Sequence, residues 1–340
     1  MPLLNGYRYA FLPCLGRSDR LSRLRSLTYG LLRHLKAGRL DALWVHGYAH
    51  HALLRAVIVA KALGIKILLR GDSHLRRESQ PALKLAAKRQ VLPLLFKLVD
   101  GFLAIGSLNR EYYLHYGVPA ERIFMMPYAV DNDFFRRCAV DARSHREKRG
   151  RPVILSASKF QPFKRLDDLL QGYARLSRDG REEPRPYLLM LGDGELRLTL
   201  ESRVRKLEWA SVRFLGFKNQ TELPRYYDLC DVFVLPSELE AWGLVVNEVM
   251  NAAKPIIVSY KVGAGPDLVR DGENGFVVPL RDIEVLSHRL RLLTSEPETA
   301  AVMGEKSLHR IKNWNFEADC KGLLAALKAT VDDSAPTDAW

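Results

Sequence analysis

Short apolar runs alternate with longer stretches in which apolar residues recur every three or four positions, almost from end to end of the chain. The short runs are rich in Val, Ile, Leu and Phe and end in Gly, Ser, Pro or Asp, which predicts buried β-strands. Near-continuous apolar strands separated by helices are typical of a parallel sheet covered on both faces. The ten candidate strands are residues 41–47, 66–72, 101–106, 123–128, 153–158, 187–193, 212–216, 232–237, 255–259 and 275–279.

The helical stretches and one lapse in the pattern divide the chain. Residues 136–152 form a charged run without a period, which is typical of an interdomain linker. We therefore predict two Rossmann-like domains, at residues 1–140 and 151–330, followed by a frayed tail at 331–340. The first domain offers four strands where a doubly wound domain usually has about six, so we expect its first strand–helix units to be missing or replaced. Two clear helical faces predict core contacts in the second domain: Leu166, Leu169, Leu170, Tyr173 and Leu176, and then Leu286, Leu290 and Leu293.

Composition supports a globular protein with two cores. The chain has 340 residues, of which 47% are hydrophobic and 27% charged. No apolar stretch approaches the roughly 18–20 residues of a membrane span, and the start lacks the layout of a secretory signal. The four cysteines lie far apart, which favours neither a zinc site nor a disulfide framework. We therefore expect a cytoplasmic protein with reduced thiols.

The net charge of +13 is typical of a protein with an acidic partner. It is also compatible with no such partner, because a scattered basic surface by itself keeps a protein in solution. Nucleic acid, an anionic membrane surface and a phosphorylated small molecule are the three candidates. Aromatic and basic residues are not interleaved as in stacking platforms, so no nucleic-acid partner is expected. Residues 20–36 and 75–90 place Leu on one face with Arg and Lys around it. Such helices lie on anionic lipid or pack on a sheet, and peripheral binding at the inner membrane face stays an open alternative.

Residues 232–259 hold the most informative motif. A buried strand ends at Pro236, a loop carries Glu240, and Gly243 opens a helix that bears Glu248. The N–H groups of a helix start suit a diphosphate, and a carboxylate one turn inside the helix can accept hydrogen bonds from a ribose diol. The loop carboxylate would then face whatever is attached beyond the phosphates.

This segment resembles the E-x7-E pattern of glycosyltransferase family 4, whose members are retaining sugar-nucleotide transferases with the two-domain B-type fold. It departs from the pattern at Val249, Asn251 and Ala253, the last in place of the usual Gly. The resemblance implies that Glu240 holds the donor sugar and Glu248 the ribose, and that Gly243 and Leu244 line the donor site. The matching residues are Pro236, Ser237, Glu240, Gly243, Glu248, Met250 and Pro255.

Residues 156–170 resemble the strand–loop–helix with which the same family holds the donor phosphates. Lys164 matches the family Lys, and Lys159 stands where Arg is usual. Two cations at the end of a parallel strand can stabilise the charge that develops on a leaving diphosphate. Lys in place of Arg keeps the charge but loses the planar fork that binds oxygens in pairs.

Two further matches belong to the same crevice at the carboxyl ends of the strands. A glycine turn follows the strand at 187–193, where the backbone can approach a ligand closely. A second glycine loop follows the strand at 212–216, and the resemblance implies that it borders the nucleotide base. The residues concerned are Gly192 and Gly194 in the first loop, and Gly216, Phe217 and Lys218 in the second.

The acceptor side is less defined by the sequence. Many members of the family use a His after a strand to contact the transferred sugar, and residues 66–78 stand at that place. Arg70, Asp72 and His74 are the candidates there, and Arg70 and Asp72 could instead pair with one another. His46, at the end of the preceding strand, could face the cleft or be a capped or core histidine.

The predicted function is transfer of a sugar from a UDP-, GDP- or ADP-sugar to a glycan or lipid-linked acceptor, in polysaccharide or glycolipid biosynthesis. Retention of configuration is implied by the resemblance alone. The nucleotide sugar is a substrate, so no cofactor is expected. The adjacent Asp167 and Asp168 look like ordinary helix charges, and lysines can neutralise the phosphates, so we expect no metal. A nucleotide-sugar epimerase, a phosphorylase on a similar fold and a non-catalytic sugar-nucleotide binder remain alternatives.

Overall fold

The structure, a computed structural model, describes residues 9–12, 14–15, 27–28, 30–77, 81–144, 150–176, 186–207 and 209–331. Ten strands form two parallel sheets with helices packed on them, and two short strands pair antiparallel near the start. All ten predicted strands are present, so the predicted α/β class with two Rossmann-like sheets is confirmed.

The first part of the chain builds a four-stranded sheet in which each strand lies beside its neighbour in sequence. Its core side chains pack on both faces of the sheet. The strands are β1 (Cys14–Leu15), β2 (Leu27–Thr28), β3 (Ala42–His46), β4 (Lys66–Gly71), β5 (Gly101–Ala104) and β6 (Ile123–Met125), with the sheet order β3-β4-β5-β6. The helices are α1 (Leu31–Gly38), α2 (His51–Ala62), α3 (Ala82–Phe96) and α4 (Ser107–His115).

The second sheet has six strands, and its order places the first of them beside the fourth. Its strands are β7 (Val153–Ala157), β8 (Tyr187–Leu191), β9 (Val212–Gly216), β10 (Val232–Leu235), β11 (Ile256–Ser259) and β12 (Gly275–Val278), in the order β12-β11-β10-β7-β8-β9. The helices are α5 (Asn132–Ser144), α6 (Leu166–Arg175), α7 (Arg197–Lys206), α8 (Leu223–Leu229), α9 (Leu244–Met250), α10 (Gly265–Leu268), α11 (Ile283–Ser295), α12 (Pro297–Ile311) and α13 (Phe316–Val331).

Most predicted helical faces lie in the core of the second sheet. Every residue of the two predicted faces is buried in this core except Leu176, which is partly exposed. Within the described residues, no helix combines the length and apolar character that crossing a bilayer requires.

The predicted linker at 136–152 is wrong for its first half, because α5 extends to Ser144. Phe135 and Ala139 are buried on this helix and belong to the core of the second sheet, where the Phe135 ring lies 6.2 Å from that of Tyr227. Exposed charged residues on the outer side of α5 hid this one-turn spacing in the sequence. Residues 145–149 lie outside the described residues.

The last helix was predicted to belong to the second domain, but α13 packs on the first sheet. Its Ala326 lies in a buried cluster with Leu68, Leu103 and Met126. A parallel sheet has two apolar faces to bury, and this helix covers the face that α1 to α4 leave open. Val331 still belongs to α13, whereas the rest of the predicted frayed tail, 332–340, lies outside the described residues.

Ala253 occupies the position where a glycine was expected, and its φ of 55° lies in the left-handed region. We predict that Ala253→Gly stabilises the protein. A Cβ costs about 1–2 kcal/mol in this conformation, which exceeds the roughly 0.4–1 kcal/mol that a glycine loses through the entropy of the unfolded chain. The thermal midpoint should rise by about 1–3 °C in a calorimetric scan.

Ala252 provides the matched control, because it is buried and lies outside the left-handed region. Ala252→Gly should lower the midpoint. If both substitutions lower it, the left-handed alanine carries no strain.

Candidate active site

The candidate site lies where β7 and β10 are neighbours, because the loops that follow these two strands leave the sheet on opposite sides of this point. The loop after β7 runs through Lys159 to Lys164, and the loop after β10 carries Glu238 and Glu240. A hydrogen bond joins the two loops: the Glu238 N–H donates to the Phe163 carbonyl at 2.7 Å. The sheet order thus brings together residues 76 positions apart in the chain.

Lys164 and Glu240 form an ion pair across these loops. Their side chains are only 13% and 17% exposed, so each charge has lost most of its water and depends on the other. Glu238, farther out, pairs with Arg281 at 3.1 Å. The predicted sugar-binding carboxylate and one predicted phosphate-binding lysine therefore meet in one place.

The Glu240 loop is supported from two directions. Glu240 forms a β-bridge with Val262, and the Gly263 N–H donates to the Glu240 carbonyl at 3.2 Å. From the first sheet, Nε2 of buried His74 lies 3.0 Å from the same carbonyl oxygen. A carbonyl only accepts, so the His74 ring donates this hydrogen bond.

The glycine turn after β8 packs directly on the loop after β7. Gly192 and Gly194 have φ values of 126° and 154°, and a Cβ on either would overlap the backbone of Ser158 or Phe160. The Phe160 N–H donates to the Asp193 carbonyl at 2.8 Å, and the Gly192 N–H donates to a carbonyl of the next loop, at Gly216, at 2.9 Å. Glycine is required here because two backbones run in contact.

Three side chains predicted to bind the donor line the same edge of the sheet, and they differ in exposure and in their contacts. Lys159 is exposed, and Phe217 is 72% exposed directly after β9. Lys218 is more engaged, since its ammonium lies 5.8 Å from the centre of the Tyr226 ring and 3.9 Å from the Glu222 carboxylate. Phe217 therefore presents an uncovered aromatic face at this edge.

Glu248 lies one turn inside α9, which begins directly after Gly243 with the exposed Leu244. Burial raises the pKa of the Glu248 carboxyl to about 7, while a hydrogen bond from Tyr227 acts in the opposite direction. The Tyr227 hydroxyl donates to Oε2 of Glu248 at 2.5 Å. This contact depends on how α8 lies against α9, so no local pattern in the sequence contains it.

Arg70, Asp72 and His74 lie at the end of β4 or in the loop after it, and their contacts differ. The Arg70 guanidinium donates to the Asp319 carboxylate at 2.8 Å and to the Met126 carbonyl at 3.0 Å, which fixes α13 on the first sheet. The pairing of Arg70 with Asp72 left open by the sequence is thus replaced by a pairing with Asp319. Asp72 is exposed at the end of β4, and of these candidates only His74 contacts the Glu240 loop.

His46 lies apart from that contact, at the end of β3. Its ring stacks on Trp44 with centroids 4.7 Å apart. Burial, together with the charge of Arg70, lowers the pKa of the His46 imidazole. The neutral ring is therefore favoured at neutral pH.

The two sheets are held in contact beside the site. The Asp267 carboxylate accepts a hydrogen bond of 2.9 Å from the Ser107 N–H, the first residue of α4, as an N-terminal capping group does. Burial raises the pKa of this carboxyl above its usual value. The Trp242 ring stacks on Trp314 with centroids 5.2 Å apart, and Gly106 leaves room for it.

Comparison with known proteins gives transferases among the relatives of this chain. Alpha-D-kanosaminyltransferase of Streptomyces kanamyceticus is 29% identical over 197 residues, which are 56% of this chain and 50% of that protein. A GDP-mannose-dependent alpha-(1-6)-phosphatidylinositol monomannoside mannosyltransferase of Mycolicibacterium smegmatis is 29% identical over 211 residues, 58% of this chain and 54% of that protein. The chain spans about half the length of these curated relatives.

Solved structures share the fold at low sequence identity. The crystal structure of Anabaena Alr3699/HepE in complex with UDP aligns with a TM-score of 0.73 and 16% identity, over 91% of this chain and 84% of that one. Sucrose-phosphate synthase from Thermosynechococcus elongatus aligns with a TM-score of 0.70 and 22% identity, over 89% of this chain and 76% of that one. The arrangement of two parallel sheets is therefore a known one.

A family model described as glycosyl transferases group 1 matches residues 140–310, which are half of the chain and contain every candidate residue of the second sheet. The chain belongs to this family.

Proposed function

We propose that the chain transfers a sugar from a nucleotide-sugar donor to an acceptor hydroxyl, with retention of configuration and without a metal ion. One observation carries the proposal: the Lys164–Glu240 ion pair lies at the switch point of the second sheet, in a chain of this family. Open α/β sheets bind their ligands outside the carboxyl ends of the strands at such a point.

The donor would lie along the loops after β7, β8, β9 and β10. In this proposal Lys164 and the exposed Lys159 neutralise the diphosphate, so that no metal is needed for its charge. Glu240 accepts hydrogen bonds from hydroxyls of the donor sugar, and Glu248 accepts them from the ribose. The exposed ring of Phe217 offers a stacking surface for the base.

The reaction follows from where the charges lie. The diphosphate leaves towards the two lysines, which stabilise the charge that appears on it as the sugar–phosphate bond breaks. The acceptor hydroxyl attacks the same face of the sugar from the side of the first sheet. Its oxygen bonds to the anomeric carbon as the bond to the phosphate oxygen breaks, and its proton passes to the departing diphosphate. The hydrogen bond from His74 to the Glu240 carbonyl holds the first sheet in a fixed position relative to the Glu240 carboxylate, which is proposed to bind the sugar. The UDP-bound HepE structure supports a nucleotide donor, and the mannosyltransferase relative supports a lipid-linked or glycan acceptor.

An anionic membrane surface is the further partner in this proposal, at the inner face of the cytoplasmic membrane. The outward sides of α1, α2 and α3, called here the basic face, carry Lys and Arg but no Asp or Glu. All three helices pack on the same side of the first sheet, so their outward sides belong to one surface. On α3, Leu83, Val91 and Leu94 are 83%, 59% and 64% exposed. Exposed leucines surrounded by cations suit the interface of an anionic bilayer.

We predict that one of the UDP-, GDP- or ADP-sugars raises the thermal midpoint of the protein, because a bound donor stabilises the folded state. We also predict that Lys164→Ala weakens the affinity for that donor. The loss should be about 10- to 100-fold, because a charged hydrogen bond to phosphate disappears. The substitution also leaves the Glu240 carboxylate without its cation beside the phosphates. Adding Glu240→Gln to Lys164→Ala should therefore restore part of the affinity.

Lys306, an exposed lysine on α12, provides the control, and Lys306→Ala should bind the donor as the unaltered protein does. Equal losses in Lys164→Ala and Lys306→Ala would contradict the proposed site. Formation of an altered free nucleotide sugar from the donor alone would indicate an epimerase instead.

Binding to the membrane makes a separate prediction. The chain should float with phosphatidylglycerol vesicles at low salt and stay in solution with phosphatidylcholine alone. The double substitution Leu83→Ser with Leu94→Ser should lower the vesicle affinity about tenfold or more, because two apolar side chains no longer enter the interface. Leu198→Ser is the control, since Leu198 is 75% exposed on α7 of the second sheet. If the unaltered chain fails to float at low salt, the membrane partner is wrong.

A further inference from the structure

Tyr227 is the buried polar group beside the candidate site to which the sequence pattern gives no role. Its side chain is 1% exposed, yet its hydroxyl contacts a carboxylate that the donor is proposed to use. The residue lies on the short helix α8, between the loop that borders the base and the strand β10. Tyr227 therefore connects two parts of the proposed donor site.

The ring of Tyr227 is fixed by packing from a third element. Phe135 of α5 lies against it with centroids 6.2 Å apart, and both rings belong to the core cluster of the second sheet. Cys230 follows one turn later, and its thiol donates to the Tyr227 carbonyl at 3.3 Å. With both the ring and the backbone held, the hydroxyl can reach only a small region, and Glu248 lies in it.

The hydroxyl acts as the donor towards the charged form of Glu248, because a carboxylate can only accept. Burial and the neighbouring Glu248 carboxylate raise the pKa of the Tyr227 phenol well above its usual value of 10. A carboxylate has two oxygens, each able to accept more than one hydrogen bond. Because Oε2 of Glu248 accepts from Tyr227, Oε1 is left to meet an incoming hydroxyl.

We propose that Tyr227 is a positioning residue for the donor nucleotide, which orients the Glu248 carboxylate and keeps it able to accept hydrogen bonds from the ribose. This inference rests on the proposed function, since it requires that Glu248 bind the ribose. Tyr227 itself does not touch the nucleotide and acts through Glu248.

The protonation of Glu248 gives this role a specific consequence. Burial favours the neutral carboxyl, and the hydrogen bond from Tyr227 lowers its pKa again towards the charged form, leaving it at about 7. Cys230, which directly follows α8, contributes to the raised pKa of Tyr227. Without the hydroxyl, the pKa of Glu248 should rise further, so that the carboxylate able to accept two ribose hydroxyls forms only at higher pH.

The test compares Tyr227→Phe with the unaltered protein by calorimetric titration. UDP, GDP and ADP are titrated from pH 6 to pH 9, and the diphosphate that binds most tightly is also titrated as its 2′-deoxy form. At pH 7, Tyr227→Phe should bind the ribonucleotide about tenfold more weakly, and the midpoint of its pH dependence should move to higher pH. The penalty for removing the 2′-hydroxyl should be smaller in Tyr227→Phe than in the unaltered protein, because both changes act on one interaction.

Two further variants separate this role from a general effect on folding. Tyr173→Phe removes another buried tyrosine hydroxyl of the same sheet, one that donates to the Pro186 carbonyl at 2.8 Å, and it should leave the pH midpoint unchanged. In a Glu248→Gln background, Tyr227→Phe should cause little further loss. That background keeps the comparison informative even if one single variant is less stable.

The outcomes distinguish the two levels of the argument. If the unaltered chain binds no nucleoside diphosphate, the proposed function and this inference fail together. If it binds one and Tyr227→Phe leaves the pH midpoint and the 2′-hydroxyl penalty unchanged, the inference alone is overturned. Equal losses in Tyr227→Phe and Tyr173→Phe would assign the effect to packing and overturn it as well.

Discussion

The candidate site depends on one constraint, the adjacency of β7 and β10 in the second sheet. Parallel strands end at a common edge, so the loops that follow these two must share one region, although 76 positions separate Lys164 from Glu240 in sequence. The ion pair of Lys164 with Glu240 spans this junction. Neither side chain could be buried alone at acceptable cost, because an unpaired charge without water is strongly destabilising. The sheet order and the paired charges therefore require one another.

The second condition is that the first sheet stays against this region. His74 contacts the carbonyl of Glu240, Asp267 caps α4, and Trp242 stacks on Trp314 just before α13 crosses to the first sheet. These contacts are polar, capping and aromatic in turn, and all lie within or next to the loops of the second sheet. The position of Glu240 is consequently set by both halves of the chain, and an acceptor would meet a surface that each half helps to form.

How much the sequence predicted follows from which interactions are local. All ten strands were predicted, because buried parallel strands are apolar on both faces and leave a continuous run in the sequence. The sequence indicated that Glu240, Glu248 and Lys164 lie near the carboxyl ends of the strands, because each follows a strand at a fixed offset. The helix α5 and the destination of α13 were missed, because an apolar stripe shows that a helix packs but not on which sheet. The partners of Arg70 and Tyr227 depend on helices far away in sequence, so no local pattern contains them.

The charges around the crevice explain how acidic loops can receive a dianionic ligand. Carboxylates beside a diphosphate would repel it, yet four of those near this edge are compensated. Glu248 is shifted towards its neutral form by burial. The others are paired with cations: Glu240 with Lys164, Glu238 with Arg281, and Asp193 with Arg197. Lys159 is exposed at the same edge and adds a positive charge there. A diphosphate that entered would share Lys164 with Glu240, and Glu240 would then turn to the neutral hydroxyls of a sugar, which a carboxylate can bind without competing for that cation.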